Sequence, residues 1–123
     1  TTQCGFDFTV MSRPILTSHV LDTSRGSPAV GMFVELHKKR GDSWTLWHNT
    51  ATTGDGRVQF PFSSDSMPAA TYKLRFDTKT YYQKLGQDTI YDYVEIVFAT
   101  KEDQHYHIPL ILSPFGYSTY RGS

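Results

Sequence analysis

Short runs of alternating apolar and polar residues dominate this chain, separated by Gly, Pro, Asp and Ser clusters at roughly 8–12-residue spacing, the pattern of an all-β domain. The first run, Ile15 to Asp22, is closed by Ser24-Arg25-Gly26-Ser27-Pro28. In the second, Val30 to Lys38, Met32, Val34 and Leu36 alternate against Phe33, Glu35 and His37, and Arg40-Gly41-Asp42 turns the chain. Trp44 to Asn49 forms a third run, followed by the tight turn Thr53-Gly54-Asp55-Gly56 that ends at Arg57. Val58 to Phe62 reads as a weak strand, because Pro61 cannot donate to a ladder, and a Ser-rich loop follows it. Thr71 to Phe76 alternates through Tyr72, Leu74 and Phe76; Asp77 or Thr78 then caps a brief helix to about Leu85, stopped by Gly86. Tyr91 to Phe98, His105 to Leu112 and Gly116 to Ser123 complete the set. About seven or eight strands with one short helix predict a β-sandwich.

The same period sorts the candidate chemistry. His105 and His107 share one strand face with Pro109 and Ile111, while Tyr106, Ile108, Leu110 and Leu112 make the apolar face that meets the core. His19 shares a face with Thr17 and Leu21. A lone strand histidine is more often a satisfied surface or core residue than a catalyst, and His37 and His48 carry only that reading. Arg57 leaves a Gly-Asp-Gly turn, and an arginine held by a rigid turn can offer its planar fork to a planar anion. The C-terminal Tyr120-Arg121-Gly122-Ser123 brings a phenol, a guanidinium, a glycine, a hydroxyl and a carboxylate into immediate succession, where chain ends are usually chemically plain.

Composition narrows the function classes. A chain of 123 residues accommodates one domain, read here as residues 14–123 behind an irregular leader or tag remnant at 1–13. Twelve basic and twelve acidic residues cancel, so nothing announces a nucleic-acid partner, and the apolar runs are too short to span a bilayer as helices. A single cysteine, Cys4, permits no internal disulfide, fits a reducing compartment, and is badly placed for a nucleophile.

Several blocks, taken together, resemble the transthyretin fold family and specifically its enzymatic branch, the 5-hydroxyisourate hydrolases. They are Leu16-Thr17-Ser18-His19-Val20-Leu21-Asp22 with Gly26-x-Pro28-Ala29, Gly54-Asp55-Gly56-Arg57, and Tyr72-x-Leu74-x-Phe76-Asp77-Thr78. The most specific are His105-Tyr106-His107-Ile108-Pro109-Leu110-Ile111-Leu112-Ser113-Pro114 and the terminal Tyr-Arg-Gly-Ser. The hormone-carrying branch is the natural competitor, since Ser24 to Ala29 and Asp77 to Tyr81 resemble it too, which points to a vertebrate member. Carriers have lysine where this chain has His19, an acidic residue at Arg57, threonine at His107, and an apolar tail in place of the terminal motif.

The resemblance implies a transthyretin-like (prealbumin) two-sheet sandwich assembled as a homotetramer, a dimer of dimers around a channel. It implies hydrolytic opening of the six-membered ring of 5-hydroxyisourate, a small-molecule substrate, without a cofactor. His19, Arg57, His107 and Ser123 are the implied catalytic residues; His105, Ser118, Tyr120, Arg121 and Gly122 are the implied substrate-binding residues. Either His19 or His107 would deprotonate the water, with Arg57 stabilising the oxyanion. Two alternatives are a carrier of small aromatic ligands and a zinc-dependent hydrolase using the strand histidines; no metal is expected, because Arg57 would repel a cation beside those ligands. The implied compartment is the peroxisome, with a cytoplasmic location as the alternative. The Arg-Gly-Ser end is not a Ser-Lys-Leu-type address, so an N-terminal signal upstream of Met11 is expected.

Overall fold

The computed structural model describes residues 14–63 and 66–122. The leader with Cys4 and Met11, and the carboxyl-terminal Ser123, lie outside the described residues. Among the described residues ten short strands form two sheets: β1 (Leu16–Asp22), β2 (Ser27–Pro28), β3 (Phe33–Arg40), β4 (Ser43–Ala51), β5 (Arg57–Gln59), β6 (Thr71–Phe76), β7 (Val94–Ala99), β8 (Tyr106–His107), β9 (Leu110–Ser113) and β10 (Gly116–Thr119). One sheet runs β4-β3-β6-β7, antiparallel throughout. In the other, β1 is central: β8 and β9 lie parallel to it on one edge, β2 and β5 antiparallel on the other, and β10 pairs with β9.

Alternation decides what is inside. Leu16 and Val20 of β1, Val58 of β5, and Leu110 and Leu112 of β9 are buried, as are Val34, Leu36, Tyr72, Leu74 and Phe76 of the facing sheet. One core thus lies between the sheets, formed by the inward positions of each strand. The outward positions of β1, β5, β8 and β9 stay free for chemistry.

Four sequence-derived boundaries shift, two of them at prolines. The run His105 to Leu112 is two strands because Pro109 lacks an N–H and interrupts the ladder. Its register against β1 nevertheless continues unchanged, Leu16 opposite Tyr106 and Val20 opposite Leu110. The buried Ser18 hydroxyl donates to the Ile108 carbonyl at 2.6 Å, supplying the donor that the interrupted ladder does not. The weak strand shortens to Arg57–Gln59, ahead of Pro61. Tyr91 precedes β7 rather than starting it, and Ser27–Pro28, read as a turn, forms a two-residue strand on β1.

The helix α1 (Thr78–Lys84) takes Asp77 as its N-cap, with the carboxylate accepting from Thr80 N at 3.3 Å, and Gly86 follows at φ +67°. It is tied to β1 from the other sheet through Asp22, whose buried carboxylate accepts from Tyr81 (2.9 Å), Tyr82 (3.1 Å) and Ser24 Oγ (2.6 Å).

Candidate active site

Strand pairing gathers the sequence candidates on the outer face of the sheet. His19 is the register partner of Arg57 across the β1–β5 edge, and Thr17 is the partner of His107 across the β1–β8 edge. Paired residues share a face, and residues two apart share it again. Thr17, His19, Arg57, His105 and His107 therefore face the same way, opposite to the core. The C-terminal segment extends the face. Ser118 pairs with Ile111, and Gly122 bridges His107 with its N–H donating to the His107 carbonyl at 2.8 Å. Continuing that register sets exposed Tyr120 beside Pro109 on the same side.

Arg121 is turned the other way. Its guanidinium carbon lies 4.4 Å from the centroid of the Tyr106 ring, and Nη2 donates to Gln104 Oε1 at 3.1 Å and to the His105 carbonyl at 3.2 Å. Within one chain it secures the C-terminal segment and does not reach the histidine face. Ser123, the fourth catalytic candidate, lies outside the described residues.

Local structure holds each side chain. Arg57 is aimed by Gly56, which sits at φ +77° where a Cβ would come within 2.7 Å of both the Val20 carbonyl oxygen and Pro28 Cβ. Only glycine lets the turn press this closely against β1. Asp55 acts twice: its carboxylate meets Arg57 Nε at 3.4 Å, and its carbonyl accepts from His19 Nε2 at 2.9 Å. The Arg57 pair is more than half exposed, so it orients more than it stabilises. The carboxyl of Asp55 is held below its ordinary value, chiefly by the Thr53 hydroxyl that donates to it. The contact is made at Nε, on the side of the guanidinium away from its two Nη groups.

His107 is half-buried between two neighbours. On one side Thr17 Oγ1 lies 2.8 Å from Nδ1; on the other, Gly122 is so close that a Cβ there would meet His107 Cδ2 at 2.5 Å. Burial first, then the charges of Arg57, His19 and His105, hold this imidazole below its ordinary value of 6.5. Near neutrality its uncharged form is therefore favoured. His105 points the same way, but its Nδ1 is committed to the Pro14 carbonyl at 2.7 Å. His37 pairs with Glu35 and His48 packs edge-on to Phe60 and Phe62, so neither joins the site.

Sequence reading missed Thr17 and Asp55 as site residues. Thr17 shares the parity of His19, and Asp55 lies in the turn before Arg57. What made them legible is the order of strands in the sheet, which no local pattern carries. An open recess of about 440 Å³ borders Asp55 and Arg57 but includes neither histidine.

The fold and this face define a transthyretin-like two-sheet sandwich bearing three histidines and an arginine on its outer sheet face. The chain belongs to the HIUase/Transthyretin family, whose sequence profile matches residues 16–122. A mouse 5-hydroxyisourate hydrolase is 44% identical over 111 residues, spanning 88% of this chain and 94% of the mouse protein. Sea bream transthyretin, solved in complex with thyroxine, superposes with a TM-score of 0.83 at 30% identity, covering 88% of this chain and 94% of that one. The 5-hydroxyisourate hydrolase of Klebsiella pneumoniae superposes at 0.74 with 34% identity, covering 88% and 92%. Backbone likeness is thus higher to a carrier and sequence identity higher to the hydrolases. Both structures superpose on this chain, so backbone likeness alone does not separate the two branches.

Proposed function

We infer that this chain is a 5-hydroxyisourate hydrolase, adding water across a cyclic amide-type bond to open the six-membered ring of 5-hydroxyisourate. The carrying observation is that His19, Arg57 and His107 converge on one outer sheet face. The reaction needs an activated water, a stabiliser for the tetrahedral oxyanion and a proton for the leaving nitrogen. Imidazoles supply the proton transfers. The Nη edge of Arg57 binds the substrate's anionic oxygens in a planar, two-point contact. Ser118 and Tyr120, on the same face, orient the substrate, and Gly122 leaves room for the His107 ring.

A site on an outer sheet face needs a cover that excludes water. A homotetramer, dimer of dimers, supplies it when two outer faces meet, which also encloses exposed Tyr120. In the assembly, Arg121 anchors the C-terminal segment that contributes to this cover. No metal takes part: Arg57 opposes a cation beside the histidines, and a carbonyl acceptor already occupies one nitrogen of His19 and one of His105. The peroxisome is the proposed compartment, carried by the family resemblance alone. Imaging an internally tagged full-length protein tests it, and a diffuse cytosolic signal would overturn it.

The deciding experiment follows the absorbance of freshly generated 5-hydroxyisourate with wild-type protein, with and without a chelator, alongside sedimentation. Rapid chelator-insensitive decay by a tetramer is expected. Thyroxine-like ligand binding without hydrolysis would favour the carrier, and a fully active monomer would refute the assembled site.

A further inference from the structure

Two carbonyl oxygens and one hydroxyl decide where protons sit on this face. A carbonyl only accepts, so the 2.9 Å contact to the Asp55 carbonyl requires a proton on His19 Nε2. Neutral His19 therefore carries its lone pair on Nδ1. His105 is the reverse case: its Nδ1 must hold the proton that meets the Pro14 carbonyl. His107 differs from both, because its partner is the hydroxyl of Thr17, which can donate as well as accept.

We propose that Thr17 is the positioning residue of His107: its hydroxyl donates to Nδ1, holds neutral His107 as the Nε2–H tautomer, and leaves His19 as the base. This rests on the hydrolase reading above. Among the described residues the Thr17 hydroxyl has no other hydrogen-bond partner, so donation to Nδ1 is what satisfies its proton. Thr17 on the Nδ1 side and Gly122 on the Cδ2 side clamp the ring, turning its Nε2 edge outward. The other groups facing His107 are His19 from β1, Arg57 from β5 and His105 from the residue before β8; all three oppose a positive charge on it.

The resulting division of labour balances. His19 Nδ1 takes a proton from water as the water oxygen bonds to the substrate carbonyl carbon. Arg57 and the Nε2–H of His107 donate hydrogen bonds to the oxyanion. His19 then returns the proton to the leaving nitrogen as the carbon–nitrogen bond breaks, and one water has been added. His107 acts as a neutral hydrogen-bond donor and gives up no proton, as a ring kept uncharged can do.

The test compares Thr17→Val with Thr17→Ser in the full chain. Removing the partner that orients an imidazole lowers activity by roughly 10–100-fold, and that loss is expected in kcat for Thr17→Val with KM little changed. Nitrogen-15 spectra should show His107 Nδ1 unprotonated in wild type and in Thr17→Ser, and mixed tautomers in Thr17→Val. The serine variant should recover most of the rate. A wild-type His107 protonated at Nδ1, or a Thr17→Val enzyme with unchanged tautomer and kcat, would overturn the proposal while leaving the hydrolase assignment standing. Full activity in His107→Ala would instead remove the catalytic role on which the proposal depends.

Discussion

Gly122 stands so close to His107 that a single added methyl group would lie 2.5 Å from Cδ2 of the imidazole. The terminal motif thus needs its glycine for a reason the sequence does not display: the C-terminal segment crosses directly over a candidate catalytic ring. The N–H of the same residue donates to the His107 carbonyl, so backbone and side chain of His107 are both held.

Gly122→Ala should therefore displace the ring or the segment while the sandwich stays folded, because neither group belongs to the core. A misplacement of about 1 Å at a reacting group lowers turnover by about 10²-fold, and a loss of that order is expected. Steady-state kinetics beside a thermal melt would check it; wild-type kcat would show that the segment yields freely.

Arg57 offers a sharper test of charge against geometry. Arg57→Ala should lower kcat by about 10²–10³-fold, the usual effect of removing an oxyanion donor. Arg57→Lys keeps the charge, loses the planar fork and should recover only part of that loss. A lysine variant equal to wild type would mean that the fork is unimportant.

The lowered affinity of His107 for protons carries a stability signature. The unfolded chain takes up this proton near 6.5, whereas the folded chain resists it to lower pH. The corresponding stability is complete above 6.5 and is lost as pH falls through that value toward the folded pKa. Denaturant midpoints for wild type and His107→Gln between about pH 5 and 7.5 should diverge, with the steeper acid loss in wild type. Parallel curves would contradict the assignment.

Far from the site, Tyr81→Phe should weaken the fold without touching catalysis. Its hydroxyl reaches the buried Asp22 carboxylate at 2.9 Å, and hydrogen bonds to charged groups contribute about 1.5–3 kcal/mol. Burial, then Asp22, also pushes the Tyr82 phenol up to about 12, so both phenols remain donors across ordinary pH. Urea unfolding should register the loss while kcat holds; a changed kcat with unchanged stability would place this cluster in the site instead.

Local pattern carried much of the architecture. Period two placed Leu16, Val20, Leu74 and Leu112 inside, Asp77 and Gly86 bracketed the helix, and the parity of His105 and His107 put them away from the core. These are consequences of nearest-neighbour geometry, and a reader of the chain needs nothing distant to derive them. Pairing is different. That β1 lies between β5 and β8, so that His19 meets Arg57 while Thr17 meets His107, depends on contacts 38 and 90 residues apart in the chain. The same is true of Gly122 against His107, and of the Asp55 carbonyl that assigns the proton on His19. Arg121 shows the limit from the other side: one step of register turns it onto Tyr106, away from the face its neighbours share. Alternation chooses a residue's side of its own strand, but only the folded order of strands chooses its company.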